Sequence, residues 1–486
     1  MLVPGVEKAG VVAKRRLRGL KISTKVTLGT CFKNTPLFYK SASVKMQDTS
    51  NHRETAVMPW DFEADPEFQQ QLDWVKQFVE EELIPLEPIM ADFTEKQWIA
   101  VQEPLKQRVK DQGLWACHLE KELGGQGMGQ LPLAQMNMIT GRCVYAQEIF
   151  GNMAPDSGNA ELLAEGGTEA QKAKWLWPNL AGDIRSAFAI TEPFVASTDP
   201  TQIESSGVLE GDQWVLNGRK WMITNATRAD FIIFMVVTEP DAPVHKRCSM
   251  IIVEKDTPGM DIFREIPTMH HPHAAYGANG NHAEISLDNV RVSKDNLIGG
   301  RGEGFILSQV RLGPGRIHHA TRWLGEAERA YDMLCERTLS RSSFGKRYAS
   351  HQTIQGYVAE SRMELEMAKL LTLRAAWKMD KVGHHGARQD IAMVKVNNAK
   401  VLFNVIDRAL QVHGSLGYSC DMPLEAMYRS ARMAPLVDGA NEVHSVSIAR
   451  AELKRYEGVE GWPSEHIPSR RQESLARFAH LLEASG

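Results

Sequence analysis

The spacing of apolar residues changes twice along this chain, and this change limits the possible folds more than any single motif. Up to about residue 180, apolar side chains recur at steps of three and four, first after the dipeptide Asp65-Pro66 at Leu72, Val75, Val79 and Leu83, which is the period of an amphipathic helix. Short β-branched runs such as Asp230 to Val237 follow, separated by polar or proline-containing turns, and these indicate strands. The helical period returns after Gly304. The sequence therefore predicts a helical unit, an antiparallel β unit and a second helical unit.

The length of the chain requires more than one packed unit, because 486 residues exceed what a single hydrophobic core usually organises. We predict an α+β multidomain protein. Its parts are a basic N-terminal extension (1–47), an N-terminal helical domain (61–183), a middle β domain (184–297), a C-terminal helical bundle (298–456) and a C-terminal tail (457–486).

The first 47 residues are strongly basic, with ten Lys or Arg and the single acid Glu7. A basic segment poor in acids and containing Ser and Thr is typical of an organelle transit peptide, so we expect the mitochondrial matrix. A basic tail without an address, which leaves the protein in the cytosol, and peroxisomal sorting are the alternatives. The last three residues, Ala484-Ser485-Gly486, are not a peroxisomal signal.

Charge and composition exclude several partners. The net charge is -4, and because the first 47 residues carry +9, the rest carries -4 minus 9, or -13, which opposes nucleic-acid binding. No run of 18 apolar residues predicts a membrane span. The six cysteines are scattered, and the histidines of Met269 to His273 lack accompanying ligands, so we expect no disulfide framework and no metal site.

Three separated polar segments carry the chemical signal: Ile190-Thr191-Glu192-Pro193 with Ala196-Ser197, Arg341 to Gly345 with His351-Gln352, and Gln411 to Tyr418. Small and hydroxyl residues let backbone groups approach the polar edge of a flat ring, and an arginine can hold a pyrophosphate. Each segment alone also has a simpler interpretation: a turn at a strand end, a solvated helix end and a helix C-cap, respectively.

In this order and spacing the segments resemble the acyl-CoA dehydrogenase family. The resemblance extends from about Pro66 to Tyr456. It includes Gly167-Thr168-Glu169, Ile223-Thr224-Asn225, Gly302-x-Gly304-Phe305 and Ile448-Ala449-Arg450. Leu312-Gly313-Pro314-Gly315-Arg316 is most similar to the branch of animal family members ten and eleven, whose kinase-like N-terminal part is not recognised here.

The resemblance implies an N-terminal helical domain, a middle antiparallel β-barrel domain and a C-terminal four-helix bundle, with FAD between the last two. Some of the cofactor positions reach the FAD of a neighbouring subunit, so a homo-oligomer, a dimer or a tetramer, is expected. The substrate positions are Ser197 and Arg316, although Arg316 could also be a plain cation at a helix start. The cofactor positions are Phe188, Ile190, Thr191, Ala196, Ser197, Met222, Thr224, Arg341, Phe344, Gln352, Gln411, Ser415, Ala440 and Glu442.

The resemblance places the catalytic base at Asp438, in the turn from Val437 to Glu442. Abstraction of an α-proton from a thioester favours a partly desolvated carboxylate with a raised pKa. Glu442 is the reserve candidate, and a loop-capping role for Asp438 in an inactive flavoprotein is the alternative. Two departures from the family pattern are Met222 at the usual aromatic position and Gly313 at the usual aspartate position.

The expected function is an FAD-dependent acyl-CoA dehydrogenase that forms a trans-2-enoyl-CoA by hydride transfer to flavin N5. Electron-transferring flavoprotein is the expected acceptor. The alternatives are an acyl-CoA oxidase of the same fold and a non-catalytic protein that binds and sequesters acyl-CoA or FAD.

Overall fold

The computed structural model describes residues 62–270 and 282–483. The predicted basic extension (1–47) lies outside the described residues, as do His271, His273 and the last three residues.

The first unit is helical. Asp65 caps the first helix by accepting a hydrogen bond of 2.8 Å from the Phe68 amide, and Pro66 occupies its first turn, so the predicted start is confirmed. Thr168 and Gln171 form the reciprocal bonds of a capping box. The helices are α1 (Pro66–Phe78), α2 (Glu95–Asp111), α3 (Gln130–Thr140), α4 (Ala146–Ile149), α5 (Asp156–Gly166), α6 (Glu169–Gln171) and α7 (Trp177–Ala181).

The second unit is a β domain. Its strands are β1 (Ser186–Ala189), β2 (Ser206–Glu210), β3 (Gln213–Thr224), β4 (Phe231–Val237), β5 (Cys248–Glu254), β6 (Met260–Ile266), β7 (His282–Ser293) and β8 (Leu297–Ile298). They form one eight-stranded sheet with strand order β6-β7-β3-β2-β4-β5-β8 and with β1 paired to β4. Most pairs are antiparallel, as predicted, but β1 runs parallel to β4, and β2 meets β4 in parallel at one residue pair. In the part of the chain that the structure describes, the end strands β6 and β8 are not paired with each other.

The third unit is a bundle whose principal helices are α8 (Gly304–Ser340), α9 (Gln352–Gly386), α10 (Arg388–His413) and α13 (Asn441–Leu453). Its core contains the predicted apolar stripes of α8 and α10, including Leu324, Leu334, Val394 and Val405. A short hairpin, β9 (Ser342–Ser343) and β10 (Lys346–Arg347), joins α8 to α9, and α11 (Ser415–Tyr418) and α12 (Leu424–Ala431) follow α10. The tail forms two exposed helices, α14 (Ile467–Arg477) and α15 (Ala479–Glu483).

Helix α8 is the element that connects the units. A side chain at Gly325 would come within 2.2 Å of the Met138 carbonyl, so α8 lies directly against α3. Farther toward its N-terminus, the Arg311 guanidinium lies 4.1 Å from the ring centre of Phe188 in β1. No helix among residues 62–270 and 282–483 is long and apolar enough to cross a membrane.

Candidate active site

The turn between α12 and α13 places Asp438 at the end of the bundle. Asp438 has a backbone φ of 54° and Gly439 has one of 94°, so two successive residues lie in the left-handed region that side chains other than glycine rarely adopt. A side chain at Gly439 would also come within 3.0 Å of His444 Nε2. Position 439 therefore requires glycine, and the surrounding structure holds Asp438 in a strained conformation.

Side chains from three helices bind the carbonyl groups of this turn. Arg316 Nε of α8 donates to the Asp438 carbonyl over 3.0 Å, and His444 Nε2 of α13 lies 3.1 Å from the same oxygen. Lys395 Nζ of α10 donates to the Gly439 carbonyl over 2.7 Å and to Asn441 Oδ1 over 2.9 Å. The backbone of the turn is thus fixed from α8, α10 and α13.

The carboxylate of Asp438 lies against α8, beside Gly315 and His319. Its Oδ2 lies 3.5 Å from His319 Nε2, and the side chain is only 20% exposed. A Cβ atom at Gly315 would lie 3.9 Å from the same oxygen, so the absence of a side chain there keeps the space beside the carboxylate open.

The ring of His319 is neutral and oriented. Burial, reinforced by the charge of Arg322, lowers the pKa of His319 to about 4. Arg322 Nη2 lies 3.0 Å from His319 Nδ1, and because a guanidinium only donates, Nδ1 is the accepting nitrogen and Nε2 carries the proton. His319 therefore presents an N–H to the Asp438 carboxylate.

Positive charge controls the ionisation of the base. Burial alone would raise the pKa of Asp438, but His319 when protonated, together with Arg311, Arg316 and Lys395, outweighs burial and lowers that pKa below its ordinary value. The sequence-based prediction of a raised pKa is therefore wrong for this structure, because it considered burial without the cations. The same environment lowers the pKa of Lys395 to about 8, mainly through burial.

Arg316 does not begin a helix. It lies inside α8, which starts at Gly304, so the alternative of a plain helix-start cation is wrong. Its Nε is committed to the base turn. Glu442, the reserve candidate for the base, is exposed in the first turn of α13, whereas Asp438 faces the enclosed cationic side of α8. The loop-capping alternative does not describe Asp438 either, because its carboxylate faces α8 while its carbonyl holds the turn.

One group of predicted cofactor residues lies where β1 and β3 end. Phe188 is buried in β1, and Ile190 and Thr191 follow directly, at a strand end as the simpler interpretation also predicted. The Trp221 amide donates to the Thr191 carbonyl over 3.1 Å, and the Thr191 hydroxyl donates to the Trp221 carbonyl.

These two bonds hold the segment after β1 against β3, where the other residues of the group lie. Met222 has a φ of 56° and is 36% exposed. The Thr224 hydroxyl lies 2.9 Å from His282 Nδ1, while Ala196 and Ser197 are exposed.

A buried ion pair between Lys220 and Glu192 holds the segment that follows β1. Lys220 Nζ lies 2.8 Å from Glu192 Oε1 and also donates to the Met235 carbonyl over 2.7 Å. Glu192 in turn accepts from the amides of Glu204 and Ser205. Both charged side chains are almost completely buried, so the strand end is rigid.

A second group of predicted cofactor residues lies far from the first. Arg341 ends α8, Phe344 and Gln352 follow, and Gln411 and Ser415 flank the end of α10; all five are exposed. About 30 helical residues separate Arg311, beside Phe188, from Arg341, which at 1.5 Å per residue is about 45 Å. The structure therefore does not bring the two groups together within one chain.

The simpler interpretations also describe this second group. Arg341 is an exposed helix end, and Gly414 ends α10 with a φ of 63°. Phe344, however, is 97% exposed at the tip of the β9–β10 hairpin with a φ of 50°. Its ring makes an edge contact with His351, at 6.4 Å between ring centres, and otherwise projects into solvent in a backbone conformation that bulky residues rarely adopt.

Four residues around the base were not predicted as site residues: Arg311, His319, Lys395 and His444. The sequence did contain a signal for Arg311 and His319. Together with Gly315 they recur at four-residue steps and therefore share one face of α8, the face that lies against the base. The sequence offered no comparable signal for Lys395, which lies on a different helix. Ala440, a predicted cofactor residue, is the cap of α13 and is partly buried.

The chain combines a helical domain, a β domain and a helical bundle, and the turn before α13 carries the ionised carboxylate of Asp438. This fold and this site define an α+β multidomain protein with a candidate catalytic base. Family models described as the N-terminal, middle and C-terminal domains of acyl-CoA dehydrogenase match residues 65–183, 187–290 and 302–453. The chain belongs to the acyl-CoA dehydrogenase family, whose members are oxidoreductases. The family and the fold class predicted from the sequence are confirmed.

Individual relatives differ in length. FadE2 of Mycobacterium tuberculosis, named a probable acyl-CoA dehydrogenase, is 45% identical over 356 residues, which cover 73% of this chain and 86% of that protein. Acyl-CoA dehydrogenase family member 10 of Mus musculus is 41% identical over 392 residues, which cover 78% of this chain and 36% of that protein. The chain thus spans about a third of that relative. The structure of butyryl-CoA dehydrogenase from Megasphaera elsdenii aligns with a TM-score of 0.69 and 27% identity over 81% of this chain and all of that chain.

Proposed function

We propose that this protein is an FAD-dependent acyl-CoA dehydrogenase that converts an acyl-CoA into a trans-2-enoyl-CoA. The observation that carries the proposal is the Asp438 carboxylate, which is held ionised on a fixed turn and is mostly shielded from solvent. In this role Asp438 removes the α-proton of the thioester. A base must be in its charged form and at a defined position before substrate arrives.

The residues at the ends of β1 and β3 fit a flavin ring. Backbone bonds fix the Thr191 segment against Trp221, while the exposed side chain of Met222 supplies an apolar surface beside it. The Thr191 hydroxyl donates to the Trp221 carbonyl but keeps its lone pairs for a ring N–H. When bound there, FAD would supply the hydride acceptor, and the protein supplies position and electrostatics.

A second copy of the chain would complete the cofactor site. Arg341 lies about 45 Å along α8 from Arg311 at the ring end, so it fits a cofactor held by a neighbouring subunit. Phe344, Gln352, Gln411 and Ser415 are exposed as Arg341 is, and we assign them to the same cofactor. An exposed apolar stripe on α9, formed by Met363, Met367 and Leu370 at helical spacing, supports this. The proposal is therefore a homo-oligomer, a dimer or a tetramer.

The electron acceptor and the location follow from the family and from the basic N-terminal segment. We propose electron-transferring flavoprotein as the acceptor and the mitochondrial matrix as the compartment. A reduced flavin that reacts slowly with dioxygen and rapidly with electron-transferring flavoprotein supports the dehydrogenase. Stoichiometric hydrogen peroxide would instead identify an acyl-CoA oxidase.

The decisive experiment is anaerobic mixing of the FAD-loaded protein with acyl-CoA thioesters from short to very long chains while flavin absorbance is followed. We expect bleaching with at least one thioester and formation of the matching 2-enoyl-CoA. Tight binding of thioesters without bleaching by any of them would overturn the proposal in favour of the sequestering protein.

A further inference from the structure

We infer that Lys395 and His444 are positioning residues that hold the Asp438 turn in its left-handed conformation and so aim the carboxylate at the substrate. The inference rests on the proposed function and adds two residues that touch neither substrate nor cofactor in it. Together with Arg316 they form a backbone clamp, defined here as the side chains that bind the carbonyls of Asp438 and Gly439.

His444 is suited to this role only as a neutral ring. Burial, with a further contribution from Arg316, lowers its pKa to about 4, so the ring is uncharged at neutral pH. A carbonyl oxygen only accepts, which places the proton of His444 on Nε2, 3.1 Å from the Asp438 carbonyl. His444 therefore acts through one neutral hydrogen bond.

Lys395 is an unusual clamp residue because its ammonium group is fully buried and bonds to neutral oxygens, the Gly439 carbonyl and Asn441 Oδ1. Lys220 and Lys378, by contrast, are each paired with a carboxylate, whereas the hydrogen bonds of Lys395 within the described part of the chain go to these two neutral oxygens. A buried ammonium without a paired carboxylate is costly. Lys395 offsets this cost by fixing the turn and by holding a positive charge near the Asp438 carboxylate.

The backbone clamp compensates for the short side chain of Asp438. Asp is one methylene shorter than the Glu that the family pattern places at this position, and an error of 1 Å in placement can cost on the order of a hundredfold in rate. A left-handed Asp438 followed by a left-handed Gly439 changes the direction of the side chain without lengthening it. Three hydrogen bonds to two successive carbonyls fix that direction.

The two residues differ in charge, and this difference separates positioning from electrostatics. The groups that face Asp438 are His319, Arg311, Arg316 and Arg322 from α8, Lys395 from α10 and His444 from α13. Loss of Lys395 removes a cation, so the pKa of Asp438 should rise. Loss of His444, whose ring is uncharged above about pH 4, should slow the reaction without producing an acid limb above that pH.

The test uses the full-length FAD-loaded chain and the thioester that bleaches it, with the variants Lys395→Met, Lys395→Arg, His444→Leu and His444→Gln. The control is Lys378→Met, which removes a lysine of the same bundle whose Nζ bonds to Asp390 2.6 Å away rather than to the base turn. Protein held at pH 7 is mixed anaerobically into buffers from acid to neutral pH, and the limiting rate of flavin reduction and the thioester Kd are measured.

For Lys395→Met we expect the limiting rate to fall on the order of a hundredfold at a nearly unchanged Kd, with its acid midpoint moved to higher pH. Lys395→Arg should restore most of the rate and the midpoint. His444→Leu should lower the rate about tenfold without an acid limb above pH 5, and His444→Gln, which can still donate, should restore the rate. Lys378→Met should behave as the parent protein.

The inference is overturned if the parent protein bleaches while Lys395→Met and His444→Leu do so at the parent rate and midpoint. If Lys395→Met fails to fold, equal rates for His444→Leu and His444→Gln overturn the inference, and a slow Leu variant with a fast Gln variant supports it. Failure of the proposed function gives a different result, since the parent protein itself would then not bleach.

Discussion

The Asp438 carboxylate faces the proton-bearing Nε2 of His319 across 3.5 Å. His319 is itself oriented by Arg322, which also donates to the Asn152 carbonyl of the N-terminal domain over 3.3 Å. A chain of polar contacts, with Arg322 as the donor to both the Asn152 carbonyl and His319, thus connects the N-terminal helical domain through α8 to the base. The position of the carboxylate depends on the packing of two domains as well as on its own turn.

Replacement of Asp438 by Asn should abolish flavin bleaching. The amide has nearly the same shape and leaves the carbonyl bonds of the turn intact, but it cannot accept the α-proton. We expect retained FAD, a thioester Kd within about threefold of the parent protein and a rate lower by at least about a hundredfold. Stopped-flow absorbance measures the rate, and full activity in this variant would remove Asp438 from its role.

Replacement of Asp438 by Glu tests whether the site is built for the shorter acid. The added methylene moves the carboxylate by about 1 Å from the position, beside Gly315 and 3.5 Å from His319 Nε2, at which Asp438 holds it. We expect a loss on the order of tenfold to a hundredfold in limiting rate. A Glu variant as fast as the parent protein would show that the clamp does not fix the reach of the side chain.

The pH dependence of kcat/KM should show no acid limb from Asp438 between pH 8 and pH 5. Its pKa is below the ordinary aspartate value because the surrounding cations outweigh burial, so the carboxylate stays ionised over this range. Loss of activity through Asp438 is expected only as pH falls through that lowered pKa. Steady-state assays at constant ionic strength would show it, and a midpoint near pH 6 would contradict the lowered pKa.

Much of the fold was predictable because it depends on local periodicity. The helix start at Asp65, the capping box at Thr168 and the apolar stripes of α8 and α10 are encoded by neighbouring residues. The parallel pairing of β1 with β4 was not, since it joins segments about 45 residues apart through backbone bonds that carry no side-chain signal.

The site was predictable only in part, for the same reason. Asp438 was located through its family motif, whereas its pKa depends on Arg311, Arg316 and Lys395, which approach from two other elements of the fold. The direction of the pKa shift is a tertiary property. The charges that surround the base can be identified only when the packing of α8 against α10 and against the Asp438 turn is known.

Replacement of Lys220 by Met should destabilise the folded protein by about 3–5 kcal/mol at pH 7, because it leaves a buried Glu192 carboxylate without its partner. The net effect of burial and Lys220 is to lower the pKa of Glu192, so the stability from this pair is present above the ordinary glutamate pKa. It is lost as pH falls through the lowered value, and the deficit of the variant should shrink there.

Chemical denaturation at pH 7 and at acid pH measures this deficit. Lys294→Met is the matched control, because it breaks the exposed Lys294–Asp212 pair, and a solvent-exposed pair contributes little to stability. Equal effects of the two substitutions would contradict a stabilising buried pair.

Replacement of Arg341 by Ala should release FAD and weaken the oligomer together. Arg341 is exposed at the end of α8, about 45 Å along the helix from Phe188, so it can serve a cofactor only in a second copy of the chain. We expect at least about tenfold weaker retention of FAD and a shift toward smaller species in sedimentation velocity. Arg347→Ala, in the same hairpin and equally exposed, is the control. Unchanged flavin occupancy in the Arg341 variant would exclude the contact between subunits.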